Sequence, residues 1–301
     1  MIELIQVVRH AEARPRLVAF TMKADLRDFT LCAADSANIA LTVRAFNQTL
    51  ESCNFGDVLF FTHAHVEGPF RTVKIDRLTR KRYRHFRLKE VGTFIDTPFA
   101  LFIEWDGYVT EPRAWDPKFR EYDFIGARWP EYSDGMAVGN GGFCLQSKKL
   151  MNALTDARFA ADTNEYFDKL FCRAYRSSLE REFNIRFASE PIADLFSYEN
   201  NLPIQPTFGF HGLANMWRHM PDAKMLEIVE QLDPYVFKSR HFTKLILEYS
   251  LQCKFGIVEQ LYAILRKYEQ SSAALGLFRE HLQQPHADAI FGLCERLVMR
   301  A

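Results

Sequence analysis

The chain has 301 residues, enough for one large domain or a domain with a smaller appendage. Lysine plus arginine and aspartate plus glutamate balance at 38 each, so no global field draws the chain to nucleic acid or to an anionic membrane. Hydrophobic residues at 48% and aromatics at 14% supply a sizeable core and exclude wholesale disorder.

The first residues, M-I-E-L-I-Q-V-V-R-H-A-E, place Glu3, Arg9 and Glu12 where a secretory signal needs an unbroken apolar stretch. No window approaches the ~20 apolar residues of a membrane span, and a cytoplasmic location is expected. Residues 1–28 read as an N-terminal extension. Residues 29–34 (F-T-L-C-A-A) form a short apolar run that ends at Asp35 and Ser36, polar residues suited to capping a helix. In that helix Ile39, Val43, Phe46 and Leu50 recur at helical spacing. Residues 57–62 (D-V-L-F-F-T) come next as a buried strand, so the opening is a βαβ unit with a parallel pair.

Arg71 to Lys89 is strongly basic and partly helical, with Tyr83, Phe86 and Phe94 on one side. Its charge alone reads as a solvated face before it reads as a phosphate collar. Residues 99–103 (F-A-L-F-I) are another short strand, stopping at Glu104-Trp105-Asp106-Gly107. Ligands of open parallel sheets bind beyond the carboxyl ends of strands, where acids are useful rather than costly. Residues 128–142 are loop-like, and Gly139, Gly141 and Gly142 around Asn140 allow close backbone approach. Neither a G-x-G-x-x-G fingerprint nor a P-loop is present. His63 and His65 share a strand end, but two ligands do not make a metal site. The six cysteines form no C-x-x-C pair and read as small buried hydrophobes in a reducing compartment. After Pro221 the pattern turns helical throughout, with Leu245, Leu247, Tyr249, Leu251, Val258, Leu261, Leu265 and Leu277 lining four or five helix faces.

An ordered series of segments carries a resemblance: T-L-C-A-A-D, K-R-Y-R-H-F-R-L-K-E, F-I-E-W-D-G-Y-V, W-D-P-K-F-R-E-Y-D-F-I-G-A-R-W-P, V-G-N-G-G-F-C-L-Q-S-K-K-L, F-C-R-A-Y-R-S-S-L-E, I-R-F-A-S-E-P-I-A-D-L-F-S-Y-E and F-G-F-H-G. Over residues 30–212 the chain resembles a bacterial family of glycosyltransferase-like proteins of unassigned specificity, found near polysaccharide biosynthesis genes. The resemblance implies an α/β fold of the GT-A type, a Rossmann-like mixed sheet with helices on both faces, over residues 29–220. It leaves residues 221–301 as a helical accessory domain, the expected surface for self-association. A chain ending near Met220 is then expected to keep donor binding.

The resemblance further implies a nucleoside-diphosphate sugar as donor, a glycan or lipid-linked acceptor, and a divalent cation, Mn²⁺ or Mg²⁺, that holds the diphosphate. Asp106 in Glu104-Trp105-Asp106 and His211 in F-G-F-H-G are the implied cation ligands. Relatives carry glutamine where Glu104 stands, so Glu104 is an additional acid. A buried histidine held by a backbone carbonyl is the bland alternative for His211. Ala33 and Asp35 after the first strand, Glu104 and Trp105, and Asn140, Gly141 and Gly142 are the implied nucleotide-sugar contacts. Relatives show Tyr-Ser-Arg-Phe at Tyr83-Arg84-His85-Phe86, and Arg84, His85 and Lys89 become candidates for the phosphates. An E-D pair of the family falls on Phe167-Asp168, which leaves Asp168 as the general base of an inverting transfer, with Glu165 and Asp162 as substitutes if the register shifts. An inert surface acid competes with that reading. The lost acid at Phe167 also keeps open a second class of function, a nucleotide-sugar or glycan binding module acting through its helices. A nicotinamide oxidoreductase is disfavoured by the missing glycine fingerprint.

Overall fold

A computed structural model describes residues 23–161 and 164–299. Residues 1–22 of the expected extension, and Asp162, lie outside the described residues. The first strand, β1 (Ala24–Ala34), starts earlier than the apolar run and takes in the last residues assigned to the extension. It is followed by α1 (Ile39–Ser52) and β2 (Cys53–Thr62), paired in parallel with β1 as the βαβ reading required. β3 (Arg71–Lys74), α2 (Arg80–His85) and β4 (Phe99–Ile103) come after, and β4 also pairs in parallel with β1. β5 (Phe124–Ile125) and β6 (Phe143–Ser147) complete the sheet as antiparallel strands.

The strand order is β3-β2-β1-β4-β6-β5. The chain runs outward from β1 through β2 to β3, then returns to the other side of β1 as β4. The strand order therefore reverses between β1 and β4, and a crevice opens beyond their carboxyl ends. Helices cover both faces. Adjacent residues of a strand point to opposite sides, and here Phe60 meets Phe46 of α1 while Phe61 meets Phe86 and Phe94. In α1 the buried centre is Leu41, Ala45 and Phe46, with Ile39, Val43 and Leu50 packed at its flanks.

Beyond the sheet come α3 (Lys148–Leu154), the short turn α4 (Phe167–Lys169), α5 (Arg176–Phe183) and α6 (Glu190–Phe196). The strand-like I-R-F-A run makes only one bridge, from Phe187 to Phe124. Two short strands, β7 (Ser197–Tyr198) and β8 (Gly209–Phe210), pair in parallel. The C-terminal part is α7 (Asp222–Glu230), α8 (Arg240–Leu251), α9 (Phe255–Lys267), α10 (Ser271–His281) and α11 (Gln284–Met299). Of the apolar positions expected to line these helices, all but Leu251 are buried. The core continues without a break from the sheet into the helices. Arg218 pairs with Glu248, and Asp222 with Lys254, across the junction. No helix among the described residues is long and apolar enough to cross a membrane.

Candidate functional site

The crevice beyond β1 and β4 is a cleft of about 350 Å³ lined by Ala33, Asp35, Glu104, Trp105, Asp106 and His211 among others. Its centre is a group of three side chains, Glu104, Asp106 and His211, whose ligand atoms all lie within 4.8 Å of one another. β4 delivers the two acids. The chain turns there with Gly107 N–H donating to the Glu104 carbonyl, and Gly107 is needed because a Cβ would meet the Phe210 carbonyl oxygen at 2.9 Å. β8 delivers His211. The Gly212 N–H donates to the Asp106 carbonyl, and the Leu213 N–H to Asp106 Oδ2 at 2.9 Å. The two halves of the site are thus tied by backbone.

Asp106 is only 6% exposed, and its Oδ1 has no hydrogen-bond partner. His211 Nε2, 3.4 Å away, also has none, and lies 3.6 Å from Glu104 Oε2. A buried carboxylate oxygen without a partner is costly and marks a place where something else binds. On its other side His211 Nδ1 lies 3.1 Å from Glu199 Oε1 and 3.1 Å from Asn140 Nδ2. A carboxylate behind one imidazole nitrogen fixes the tautomer that offers the other nitrogen to a metal. The donor set of two carboxylates and one supported imidazole therefore fits a divalent cation.

Without a cation the same carboxylates favour a proton on the imidazole, which a bound cation would displace. Burial alone would lower the His211 pKa, but Asp106, Glu104 and Glu199 together raise it well above the usual histidine value. Burial would raise the Glu104 carboxyl, yet His211, the Tyr83 hydroxyl and Arg87 outweigh it and hold it at about 2. Tyr83 donates to Glu104 Oε1 at 2.7 Å, and Arg87 donates to the Tyr83 hydroxyl at 3.1 Å. Arg87 is itself buried, its guanidinium 3.9 Å from the Phe102 ring centre and 4.5 Å from that of Phe167. A single imidazole thus stands among three carboxylates.

The other expected site residues fall into three groups. Ala33, Trp105 and Asp35 line the cleft. Asp35 is also committed to the turn into α1: its carboxylate accepts from the Ala37 and Asn38 N–H groups and from the Thr42 hydroxyl. None of Asn140, Gly141 and Gly142 lines the cleft: Asn140 and Gly142 pack on the His211 ring, while Gly141 faces Phe167 and donates its N–H to Asp168. Asn140 has a positive φ of 60° and accepts from the Gly142 N–H through Oδ1. A Cβ on Gly142 would sit 2.1 Å from His211 Nε2.

Arg84, His85 and Lys89 are a correction, because the structure turns all three away from the cleft. Arg84 donates to the Ala161 and Glu165 carbonyls, His85 pairs with Glu90, and Lys89 donates to the Leu154 and Asp156 carbonyls at the end of α3. The cleft-facing residues of this stretch are Arg80 and Tyr83, with Arg87 behind them. These lie at i, i+3 and i+7, one face of the helix. A wider turn over Phe86–Glu90 shifts the helical phase of that segment, which the sequence does not disclose.

Asp168 opens α4 half-buried, and its Oδ2 accepts from the Gly141 N–H at 3.0 Å. Burial raises its carboxyl pKa against that bond, and the fields of Glu199 and Glu104 raise it further; Asp168 is not among the residues that line the cleft. Phe167, standing where the resembling family has an acid, packs on the Tyr83 ring and fills the space left by Gly141. Glu165 is exposed. His63 and His65 stay outside the cleft. Sequence reasoning missed Glu199, Tyr83, Arg80 and Arg87, whose roles depend on β7–β8 pairing and on helix phase.

A family described as "Protein of unknown function (DUF5672)" matches residues 73–211, the stretch that holds both acids, Asp168 and His211. No curated protein sequence matches the chain. Among solved structures, an active-site mutant of LgtC is similar at 12% identity and a TM-score of 0.40, covering 67% of this chain and 96% of that one. The mannosyltransferase PcManGT from Pyrobaculum calidifontis, in complex with GDP-Man and Mn2+, is similar at 10% identity and a TM-score of 0.39, covering 91% of this chain and 81% of that one. Scores of that size carry no conclusion about this chain.

Proposed function

We propose that this chain is a glycosyltransferase of the GT-A type, moving a sugar from a nucleoside-diphosphate sugar to a glycan or lipid-linked acceptor in bacterial surface polysaccharide synthesis. One observation carries the reading above all: Asp106 Oδ1 and His211 Nε2, neither with a hydrogen-bond partner, face each other 3.4 Å apart in a cleft at the strand-order reversal. Asp106, His211 and Glu104 would hold a divalent cation, with Mn²⁺ suiting a mixed carboxylate and imidazole set better than Mg²⁺. When bound, that ion stabilises negative charge on a diphosphate leaving group. Glu199 and Asn140 orient His211, and Tyr83 with Arg87 orients Glu104.

On the acceptor side, Asp168 takes the proton from the attacking hydroxyl. Its burial-raised pKa makes it a stronger base than an exposed aspartate. The hydroxyl oxygen bonds to the anomeric carbon with inversion, and the diphosphate leaves with the electron pair. The free cysteines fit a reducing compartment, and with it the cytoplasm. The second reading, a binding module without turnover, draws on Phe167 at the position of the lost acid.

Purified protein incubated with UDP- and GDP-sugars and Mn²⁺ distinguishes the two. Release of nucleoside diphosphate by wild type, slowed about 10²–10⁴-fold in Asp168→Asn at unchanged donor affinity, supports transfer. Binding of a donor with no turnover by wild type under any acceptor supports the module.

A further inference from the structure

The cleft is not built by the sheet alone. Part of its lining comes from the segment between α7 and α8, Tyr235, Val236 and Ser239, and from His241 in the first turn of α8. This segment is fastened to the opposite side of the cleft. Asp233 N–H donates to the side-chain Oδ1 of buried Asn38 at 2.8 Å, and Asn38 stands in the loop after β1. Its far end is fastened as well, since Lys244 of α8 donates to Asn200 Oδ1 at 3.1 Å, beside Glu199. The segment thus lines the cleft between two anchors, one on the loop after β1 and one at Asn200, next to Glu199.

Two features of the segment call for a ligand. Tyr235 is 78% exposed although its neighbours Asp233 and Val236 are held, so a large ring lines the cleft with no ring contact shown for it among the described residues. At the other end α8 begins. Ser239 caps it by accepting from the Phe242 N–H, and the N–H groups of its first residues have no partner within the helix. The positive end of the helix dipole therefore faces a cleft whose floor is acidic. Asp106, on that floor, is the buried side chain with the unpartnered oxygen. An acidic floor and a positive rim suit an anion bound through a cation, with the rim taking the charge that the cation leaves uncompensated.

We propose that Asp233 to His241 is the outer wall of the donor site, with Tyr235 stacking on the nucleoside and His241, with the first turn of α8, receiving the diphosphate. The proposal rests on the nucleotide-sugar reading and assigns the helical region a direct part in it. Arg80 lines the cleft too, but its guanidinium is spent on the Asn164 carbonyl and the Tyr166 ring. The helical region is then a component of the binding site and not an accessory to it.

The test is calorimetric titration of full-length protein with UMP, UDP and GDP in the presence of Mn²⁺. Wild type, Tyr235→Ala, Tyr235→Phe, His241→Ala and Phe255→Ala are compared, and melting temperatures confirm that each is folded. Phe255 is an exposed ring of the helical region outside the cleft and serves as control. The expected result is that Tyr235→Ala weakens mono- and diphosphate alike by about tenfold while Tyr235→Phe does not. His241→Ala should weaken the diphosphate several-fold more than the monophosphate. If wild type binds a diphosphate and neither Tyr235→Ala nor His241→Ala changes the affinity, the wall assignment is overturned while the functional reading survives. If wild type binds no nucleotide, the functional reading falls and this assignment falls with it.

Discussion

At the scale of single residues the site is a set of close approaches. Gly142 is where His211 passes the turn after Asn140, and a methyl group there would displace the imidazole. Gly142→Ala should therefore abolish Mn²⁺ binding while the protein still folds, measured by calorimetry beside a melting curve. An unchanged affinity would mean that His211 is not a ligand. Glu199→Gln leaves the shape but removes the charge behind Nδ1. It should cost about 10–100-fold in cation affinity, the usual effect of losing the carboxylate behind a ligating histidine. Glu104 and Asp106 were legible in the sequence as acids at the end of a buried apolar run, and His211 from its place between Gly209 and Gly212. Glu199 was not legible, because Y-E-N-N has no local signature and reaches His211 only through the pairing of β7 with β8.

At the scale of elements, strands were easier to read than helix phase. β4 matches its apolar run residue for residue, since a buried strand is bounded by the polar residues that must leave the core. The basic stretch after β3 gave the right helix and the wrong face. The widened turn at Phe86–Glu90 sends Lys89 to the end of α3, where its charge meets two open carbonyls. The segment joining β8 to α7 carries a pH dependence. His219 stacks on Phe210 with ring centres 4.3 Å apart and shares a 2.8 Å hydrogen bond with the Tyr198 hydroxyl. Burial, then Arg218, lowers its pKa from 6.5 to about 4. The unfolded chain binds the proton more readily, so this contribution is complete above pH 6.5 and is lost as pH falls from 6.5 toward 4. The loss by pH 5 is on the order of 1–2 kcal/mol. A His219→Gln variant should show a flatter stability profile than wild type over that window in denaturant titrations. Parallel profiles would place the acid sensitivity elsewhere.

At the scale of the whole molecule, sheet and helices share one continuous core, with Leu213 and Met216 buried where α8 packs. Calorimetric unfolding should accordingly give one cooperative transition in which the calorimetric and van't Hoff enthalpies agree. Two separated transitions would restore an independent helical domain. The change to an all-helical pattern after Pro221 was legible from periodicity. That the segment before α8 lines the cleft was not, because it depends on the bond from Asp233 to Asn38, far apart in the chain. A chain cut near Met220 loses Tyr235, Ser239 and His241 from the cleft, and the expectation that it keeps donor binding is replaced by the expectation that it does not. The central claim is that Asp106 and its neighbours bind a nucleotide sugar through a divalent cation. Titration of UDP- and GDP-sugars into wild type and Asp106→Asn, each with Mn²⁺ and with chelator, tests it most directly. The account predicts tight binding of one donor by wild type with Mn²⁺ only, and none by Asp106→Asn. Equal affinity in the two proteins, or in wild type with and without the cation, would contradict it.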